Sequence, residues 1–198
     1  MSGRLIALDK QPGVRPVGVG ETWRQMFAKI VLKVMGPEAT MAFQDDQLFS
    51  GFKLGINGAV CIFQALWDEN SSTEEWGFLL VDAKNAFNEI NRLGMLWTVQ
   101  HLWSSGDHFI VNCYCHWSLL VLRNGNGTDS ILYSREDVKQ RDPIVIIVYG
   151  IGILPLINNL KRAIPDITQP WYADDAVYLG TFAILDTYFY SLTRQGPG

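Results

Sequence analysis

Charge is scarce in this sequence. Charged residues make up 18% of the 198, below the roughly 25% of an ordinary soluble domain. With 48% hydrophobic residues, that composition excludes a disordered chain, a coiled coil and a low-complexity scaffold. Cysteine is also sparse: Cys61, Cys113 and Cys115 are too few and too unevenly spaced for a disulfide framework, so a reducing compartment is expected. The N-terminal stretch has no apolar run that would serve as a signal peptide. The longest apolar run, residues 144–157, is broken by Gly150, Gly152 and Pro155 and falls short of the roughly 20 residues a membrane helix needs. The expected setting is therefore intracellular, in cytoplasm or nucleus, with no membrane and no secretion. A basic surplus is missing too, since 16 basic residues face 20 acidic ones for a net charge of −4. Taken as a total, that disfavours nucleic acid as a partner.

The total hides an uneven distribution. Residues 1–35 carry six basic and two acidic residues, a local +4, whereas residues 36–76 carry one basic and seven acidic, a local −6. The N-terminal end is a candidate anion-facing arm, with a solvated helix face as the plainer alternative. No internal repeat is visible, and no Ser/Pro linker separates two domains.

Residues 10–20 are punctuated by Pro12, Gly13 and Pro16 and read as extended. Trp23, Phe27, Ile30, Val31 and Val34 then recur at helical spacing, with Gly36-Pro37 as the expected stop. A second helix is expected over about 57–67, with Val60, Phe63 and Trp67 on one face. Residues 76–81 read as a buried strand running into Asp82. Residues 88–103 are helical in pattern, through Ile90, Leu93 and Trp97 on one stripe and Leu96, Val99 and Trp103 on another. The segments 118–123 and 130–133, joined by Asn-Gly-Asn-Gly, read as a hairpin. Pro143 suits a first helical turn, and residues 144–160 are apolar enough for a core helix. Residues 169–173 and 177–180 form a second hairpin with Asp174-Asp175 at its tip. This order gives an α+β domain, an antiparallel sheet with helices on one face.

The carboxylates carry the chemistry. Asp82 ends one strand, and Asp174 and Asp175 occupy a turn; adjacent acids there are costly to hold together without a cation. If the strands are neighbours, three carboxylates converge at one sheet edge, a set suited to two Mg²⁺ ions clamping a phosphoryl transfer. An Asp-Asp pair is also ordinary turn chemistry, and spacing alone leaves both readings open.

The surrounding residues resemble the palm region of reverse transcriptases, the RNA-directed DNA polymerases of retroelements. Tyr172-Ala173-Asp174-Asp175 is similar to the Tyr-x-Asp-Asp box. Leu80-Val81-Asp82-Ala83-Lys84-Asn85-Ala86-Phe87-Asn88 resembles the other metal-binding motif. Val138 to Pro143 sits where such enzymes carry a Gln-Gly-x-Pro loop, and Val14-Arg15-Pro16-Val17-Gly18 resembles the Arg-Pro-Ile segment of the fingers. Residues 47–55, with Gly51-Phe52 and Gly55, faintly resemble the next fingers motif. The resemblance runs over most of residues 9–181, with the elements in the family's order.

That resemblance implies partial fingers over residues 1–70 and a palm over 71–198, with no thumb. It implies Asp82, Asp174 and Asp175 as catalytic residues and ligands of two Mg²⁺ ions, with a carbonyl near Ala83 as a further ligand. Phe87 would lie under the sugar and select deoxynucleotides. Arg15, with Lys10 beside it, would reach the triphosphate, and Gln140 would contact nucleotide or template. The implied partners are an RNA or DNA template, a primer and a deoxynucleoside triphosphate; oligomeric state is open. Arg141 stands in place of the family's glycine, adding bulk where a bare backbone approaches substrate. Only 23 residues follow Asp175, so the expectation is a truncated or decayed copy. Two rivals stand beside it. One is a catalytically inactive relic with residual nucleic-acid binding. The other is an RNA-dependent RNA polymerase palm, against which Tyr172 and Phe87 argue.

Other motifs lead elsewhere. Cys113-x-Cys115-His116 lacks zinc spacing and reads as a buried thiol pair. Asn70-Ser-Ser and Asn126-Gly-Thr fit the glycosylation pattern by coincidence in a chain without a secretory signal. His101, His108 and His116 show no acid–base pattern. Trp23, Trp97, Trp103 and Trp117 are expected in the core in preference to stacking on bases.

Overall fold

A valine–arginine–proline–valine stretch can join a sheet only at its edge, because proline offers no N–H to a central ladder. In the computed structural model it does so. The structure describes residues 2–9, 11, 14–43, 55–83, 86–123, 128–134, 138, 142–165 and 167–195. The chain begins with strands β1 (Ser2–Asp9) and β2 (Val14–Gly20), followed by helices α1 (Thr22–Ala42) and α2 (Gly55–Asn70). Strand β3 (Trp76–Asp82) leads through the short helix α3 (Ala86–Glu89), α4 (Arg92–Leu102) and α5 (Asp107–Tyr114) to strands β4 (Ser118–Arg123) and β5 (Asp129–Ser134). Helix α6 (Val145–Ala163), strands β6 (Trp171–Tyr172) and β7 (Asp175–Thr181) and helix α7 (Phe182–Gln195) complete the order. Two sheets result, β2-β1-β4-β5 and β3-β7-β6. The fold is α+β, as expected, and among the described residues neither sheet closes into a barrel.

The chain divides into two compact units, one of residues Met1–Ala42 and Asn85–Gly152, the other of Phe43–Lys84 and Ile153–Gly198. In the first unit, β1 pairs antiparallel with edge strand β2 and parallel with β4, which pairs antiparallel with β5. Its helices and the residues flanking them bury Met95, Val99, Trp103, Ile110, Tyr114, Ile144, Val148 and Ile151. Asn91 caps α4, its side-chain oxygen accepting from the Gly94 N–H at 2.7 Å. Arg92, buried in the first turn of that helix, donates to the carbonyl oxygens of His116 and Ser134 and to the Ser134 hydroxyl.

In the second unit β3, β7 and β6 form an antiparallel sheet. Side chains alternate across it, so Tyr178 of β7 and Leu79 of β3 share one face. Tyr188 of α7 packs there, its ring 3.9 Å from that of Tyr178. Tyr188 donates to Gln169 Oε1 (3.1 Å), and Gln169 Nε2 donates to the Ile157 carbonyl of α6 (3.3 Å). One buried amide thus links two helices below the sheet.

Burial, and then their mutual proximity, push the Tyr178 hydroxyl well above the ordinary tyrosine range, and burial pushes Tyr188 up as well. The folded state therefore holds these protons more tightly than the unfolded chain. Their stability contribution is complete below the unfolded value near 10 and is lost as pH rises towards the folded values. Above pH 10 the unfolding free energy should fall by up to about 1.4 kcal/mol per pH unit for each hydroxyl. Urea titrations across pH 9 to 11 measure this slope. Tyr178→Phe should make it shallower; an unchanged slope would contradict the assignment.

Several expectations need correction. The stripe Trp23, Phe27, Ile30 and Val34 faces outward, with Trp23 69% exposed, and α1 buries Arg24, Ala28, Gly36 and Ala39 instead. Ala28 and Ala39, both without exposed surface, are small enough to fit there, and Arg24 has a buried counter-charge. Gly36-Pro37 does not stop α1, which continues to Ala42 with Pro37 inside. The carbonyl of nearby Met35 takes a hydrogen bond from Trp103 Nε1 at 3.0 Å. Val60 and Trp67 of α2 are exposed, as are Leu93 and Trp97 of α4; the other expected stripe, Leu96, Val99 and Trp103, is buried. Of the four tryptophans expected in the core only Trp103 is there. Cys113 is buried but Cys115 is exposed, so the two are not a buried pair. Helix α6 extends to 19 residues, long and apolar enough to cross a membrane by length and composition, although half of it is buried within the fold.

Candidate functional site

The hairpin β6–β7 is closed by Ala173 and Asp174, a two-residue connection between Tyr172 and Asp175, which pair with each other. Such a tight loop requires a positive φ at its first central residue. Ala173 supplies it, at φ 53°. An L-residue with a Cβ pays roughly 1–2 kcal/mol there, a strain found most often where side chains must be aimed. Asp174 is therefore the turn residue. Asp175 is not at the tip but opens β7.

Register does the rest. Asp175 lies directly opposite Asp82, the last residue of β3, so the two carboxylates share a sheet face with Cα atoms about 5 Å apart. Asp174, one residue away, has its Cα within about 10 Å of that of Asp82. This face is opposite the one carrying Tyr178. Leu80, two residues before Asp82 on the same face, is 75% exposed, and both Asp82 and Asp175 are exposed. At the far end of β3, Phe78 stacks on Trp67 of α2 with centroids 5.2 Å apart. The acids thus sit at the exposed end of a face whose other end meets α2 through Phe78 and Trp67, while α7 packs on the opposite face.

Partial burial and then the nearby Asp82 raise the Asp175 carboxyl above its ordinary range. Like charges in register raise the cost of ionising both, which a cation would remove. Among the described residues, no group of three or more His, Cys, Asp or Glu side chains is placed to hold a metal ion. The Asp82–Asp175 pair nevertheless fits Mg²⁺ in its donor chemistry. That ion takes hard oxygen ligands, commonly one or two carboxylates, and completes its shell with water and substrate phosphates.

The other expected residues are placed as follows. Ala83, exposed, follows β3 directly. Arg15 lies in edge strand β2 opposite Leu8. Phe87 lies in α3, half-buried, with its ring 4.7 Å from that of Tyr149 and its carbonyl accepting the Val138 N–H at 2.8 Å. Lys10, Gln140 and Arg141 lie outside the described residues, as do Asn126 and most of residues 47–55. Asp82, Asp174 and Asp175 lie in one unit, with register opposing Asp82 to Asp175, whereas Arg15 and Phe87 belong to the other.

Sequence reading missed Asp142, which precedes α6 and is almost fully buried against Arg24. Its signal was present: an Asp-Pro immediately before an apolar helical run is an N-terminal capping pattern. The register that opposes Asp82 to Asp175 carried no such local signal.

No family model matches this chain, and no curated protein does either. Solved structures do. Apo telomerase from Candida tropicalis, truncated from its C-terminal domain, superposes with a TM-score of 0.70 at 11% identity, covering 97% of this chain and 46% of that one. Telomerase from Candida albicans in complex with a TWJ fragment of telomeric RNA gives 0.65 at 10% identity, covering 97% and 40%. The corresponding Candida tropicalis complex gives 0.67 at 12% identity, covering 98% and 38%. This chain spans less than half of each of those chains. Its fold is similar to that of part of telomerase, a reverse transcriptase-related enzyme.

Proposed function

We propose that this chain is the palm and partial fingers of a retroelement-type reverse transcriptase, adding deoxynucleotides to a primer 3′-hydroxyl on an RNA template. The observation that carries the reading is the register of Asp82 against Asp175 beside the strained Ala173-Asp174 turn. It lies at the exposed end of a sheet in a fold similar to that of part of telomerase. The telomerases solved with a telomeric RNA fragment support a nucleic-acid partner, and the reading implies an intracellular setting.

Asp82, Asp174 and Asp175 would hold two Mg²⁺ ions, with the Ala83 carbonyl as a further oxygen. When bound, Mg²⁺ supplies Lewis-acid chemistry that eases loss of the primer hydroxyl proton and neutralises the departing pyrophosphate. The chain's own residues bind and orient. Arg15 would pair with triphosphate oxygens, which a guanidinium matches bidentately. The Phe87 ring would exclude a 2′-hydroxyl, and Gln140 would contact nucleotide or template.

Primer extension on an RNA template with Mg²⁺ tests the reading. Asp174→Ala and Asp82→Asn should each lower extension by at least about a hundredfold, the scale of losing one electrostatic stabiliser at a reacting centre. Extension that survives Asp174→Ala at the original rate would sink it. A second reading, a catalytically inactive relic that binds nucleic acid, is favoured by the lack of a three-group metal cluster among the described residues and by Arg141 in place of glycine. That reading requires no extension by the chain or by Arg141→Gly, alongside salt-dependent retention of primer–template on a filter.

A further inference from the structure

We propose that helix α1 is a self-association surface, pairing in parallel with α1 of a second copy of this chain; the inference is independent of the polymerase reading. The helix lies wholly within one compact unit. Along it, Trp23, Phe27, Ile30, Val34, Pro37 and Met41 follow one another at spacings of four and three residues. That alternation keeps one seam of a helix facing a partner helix. All six are exposed, Ile30 at 50% and Met41 at 78%. Pro37 lies inside α1, and four seam positions precede it. The residues that α1 buries, Arg24, Ala28 and Ala39 among them, stand away from the seam. Scattered apolar residues on a surface are ordinary, but six in line along one helix form a contiguous patch, the mark of an interaction site.

The charges beside the seam select its occupant. In a parallel pair of helices, residues flanking the seam meet partners five positions further along the other helix. Lys33 and Glu38 are five apart, both exposed and opposite in sign, so two copies form the contact twice about a two-fold axis. Met26 and Val31 stand in the same relation one heptad earlier and bring apolar side chains together. In an antiparallel pairing of the same seam, Lys33 would face Lys33 of the second copy, which is repulsive. Glu38 is already steadied at the surface, because its Oε1 accepts from the Ser105 N–H at 3.3 Å and the Ser104 hydroxyl at 3.4 Å. Less side-chain freedom is then lost on pairing. A track for nucleic acid would instead want cations along the aromatic stripe, whereas one flank here holds Val31 and Glu38. Two facing stripes would withdraw on the order of 1,000 Å² from water, the lower bound of a specific interface. The expected dimer therefore dissociates in the micromolar range.

Sedimentation equilibrium of the whole chain over roughly 1–100 μM tests the proposal. A monomer–dimer equilibrium is expected. Ile30→Lys removes a seam side chain from both helices at once and should raise the dissociation constant at least about thirtyfold. Lys33→Glu puts like charges opposite each other and should raise it about fivefold. The double exchange Lys33→Glu/Glu38→Lys restores both opposite-sign contacts and should return it to within about twofold of the original value. In an antiparallel dimer the double exchange would stay as weak as Lys33→Glu, and that result overturns the parallel pairing. Circular dichroism checks that each variant keeps its helices; if Ile30→Lys does not fold, the two charge variants decide. A chain that stays monomeric throughout overturns the proposal, whether or not an oligonucleotide binds the stripe. Dimers indifferent to a folded Ile30→Lys variant overturn it as well.

Discussion

Replacing Arg24 alone with methionine is expected to lower the unfolding free energy by about 3–5 kcal/mol, the cost of stranding one member of a buried ion pair. Burial by itself disfavours the guanidinium charge, but Tyr114 and Asp142 more than restore it, so Arg24 is held charged in the folded state. Removing it leaves the Asp142 carboxylate without the Arg24 counter-charge, held by the Tyr114 hydroxyl and the Ile144 N–H. The pair as a whole stabilises far less than this loss suggests. Withdrawing two charges from water costs about as much as their attraction returns. The double variant Arg24→Met/Asp142→Asn should therefore recover most of the deficit. Urea denaturation of the two variants measures the difference, and a single variant that unfolds like the unaltered chain would show the contact to be incidental.

Trp103→Ala should be comparably damaging, at about 3–5 kcal/mol. The indole has no exposed surface, and its N–H satisfies the Met35 carbonyl in α1. Gly106, at the start of α5, passes so close that a Cβ there would collide with the Trp103 ring. Glu38 of α1 adds a second link on the same side, accepting from the Ser105 N–H and the Ser104 hydroxyl at its surface. Trp103→Phe separates the contributions. It keeps most of the volume but removes the bond to the Met35 carbonyl, and about 0.5–1.5 kcal/mol should be lost. Equal damage from both substitutions would assign the whole effect to the hydrogen bond.

Much of the hairpin chemistry was legible in the sequence because it is local. The pairing of β4 with β5, the strand ending on Asp82 and a hairpin turning at Asp174 fell where alternation and turn residues put them, although Asp175 opens β7 instead of sharing the tip. The helices containing Leu96, Val99 and Trp103 and the apolar residues 144–160 were equally clear. What failed was the choice of inward face. On α1 the large apolar stripe suggested a core, but the partners of that helix bury the small Ala28 and Ala39 and an arginine that meets a buried acid. Periodicity reports that a helix has two faces; it does not report which one its neighbours can accommodate. Helices α5 and α7 went unread, and the β1–β2 hairpin was only partly read. In the site, the three acids were legible as residues, but the cross-strand opposition of Asp82 and Asp175 follows from register, a relation between segments more than ninety positions apart.

The parallel pairing of β1 with β4 has a consequence for how the chain acquires its fold. Ser2 lies opposite Leu119, a contact closed across more than a hundred residues. Long-range parallel pairing is formed late, because the loop it closes must be ordered before the contact returns any free energy. During synthesis the first strand emerges well before its partner, so the β1–β2 hairpin must wait with one edge unpaired. Refolding should be limited by that docking step, and a chaperone present during translation would find its target at the N-terminal end.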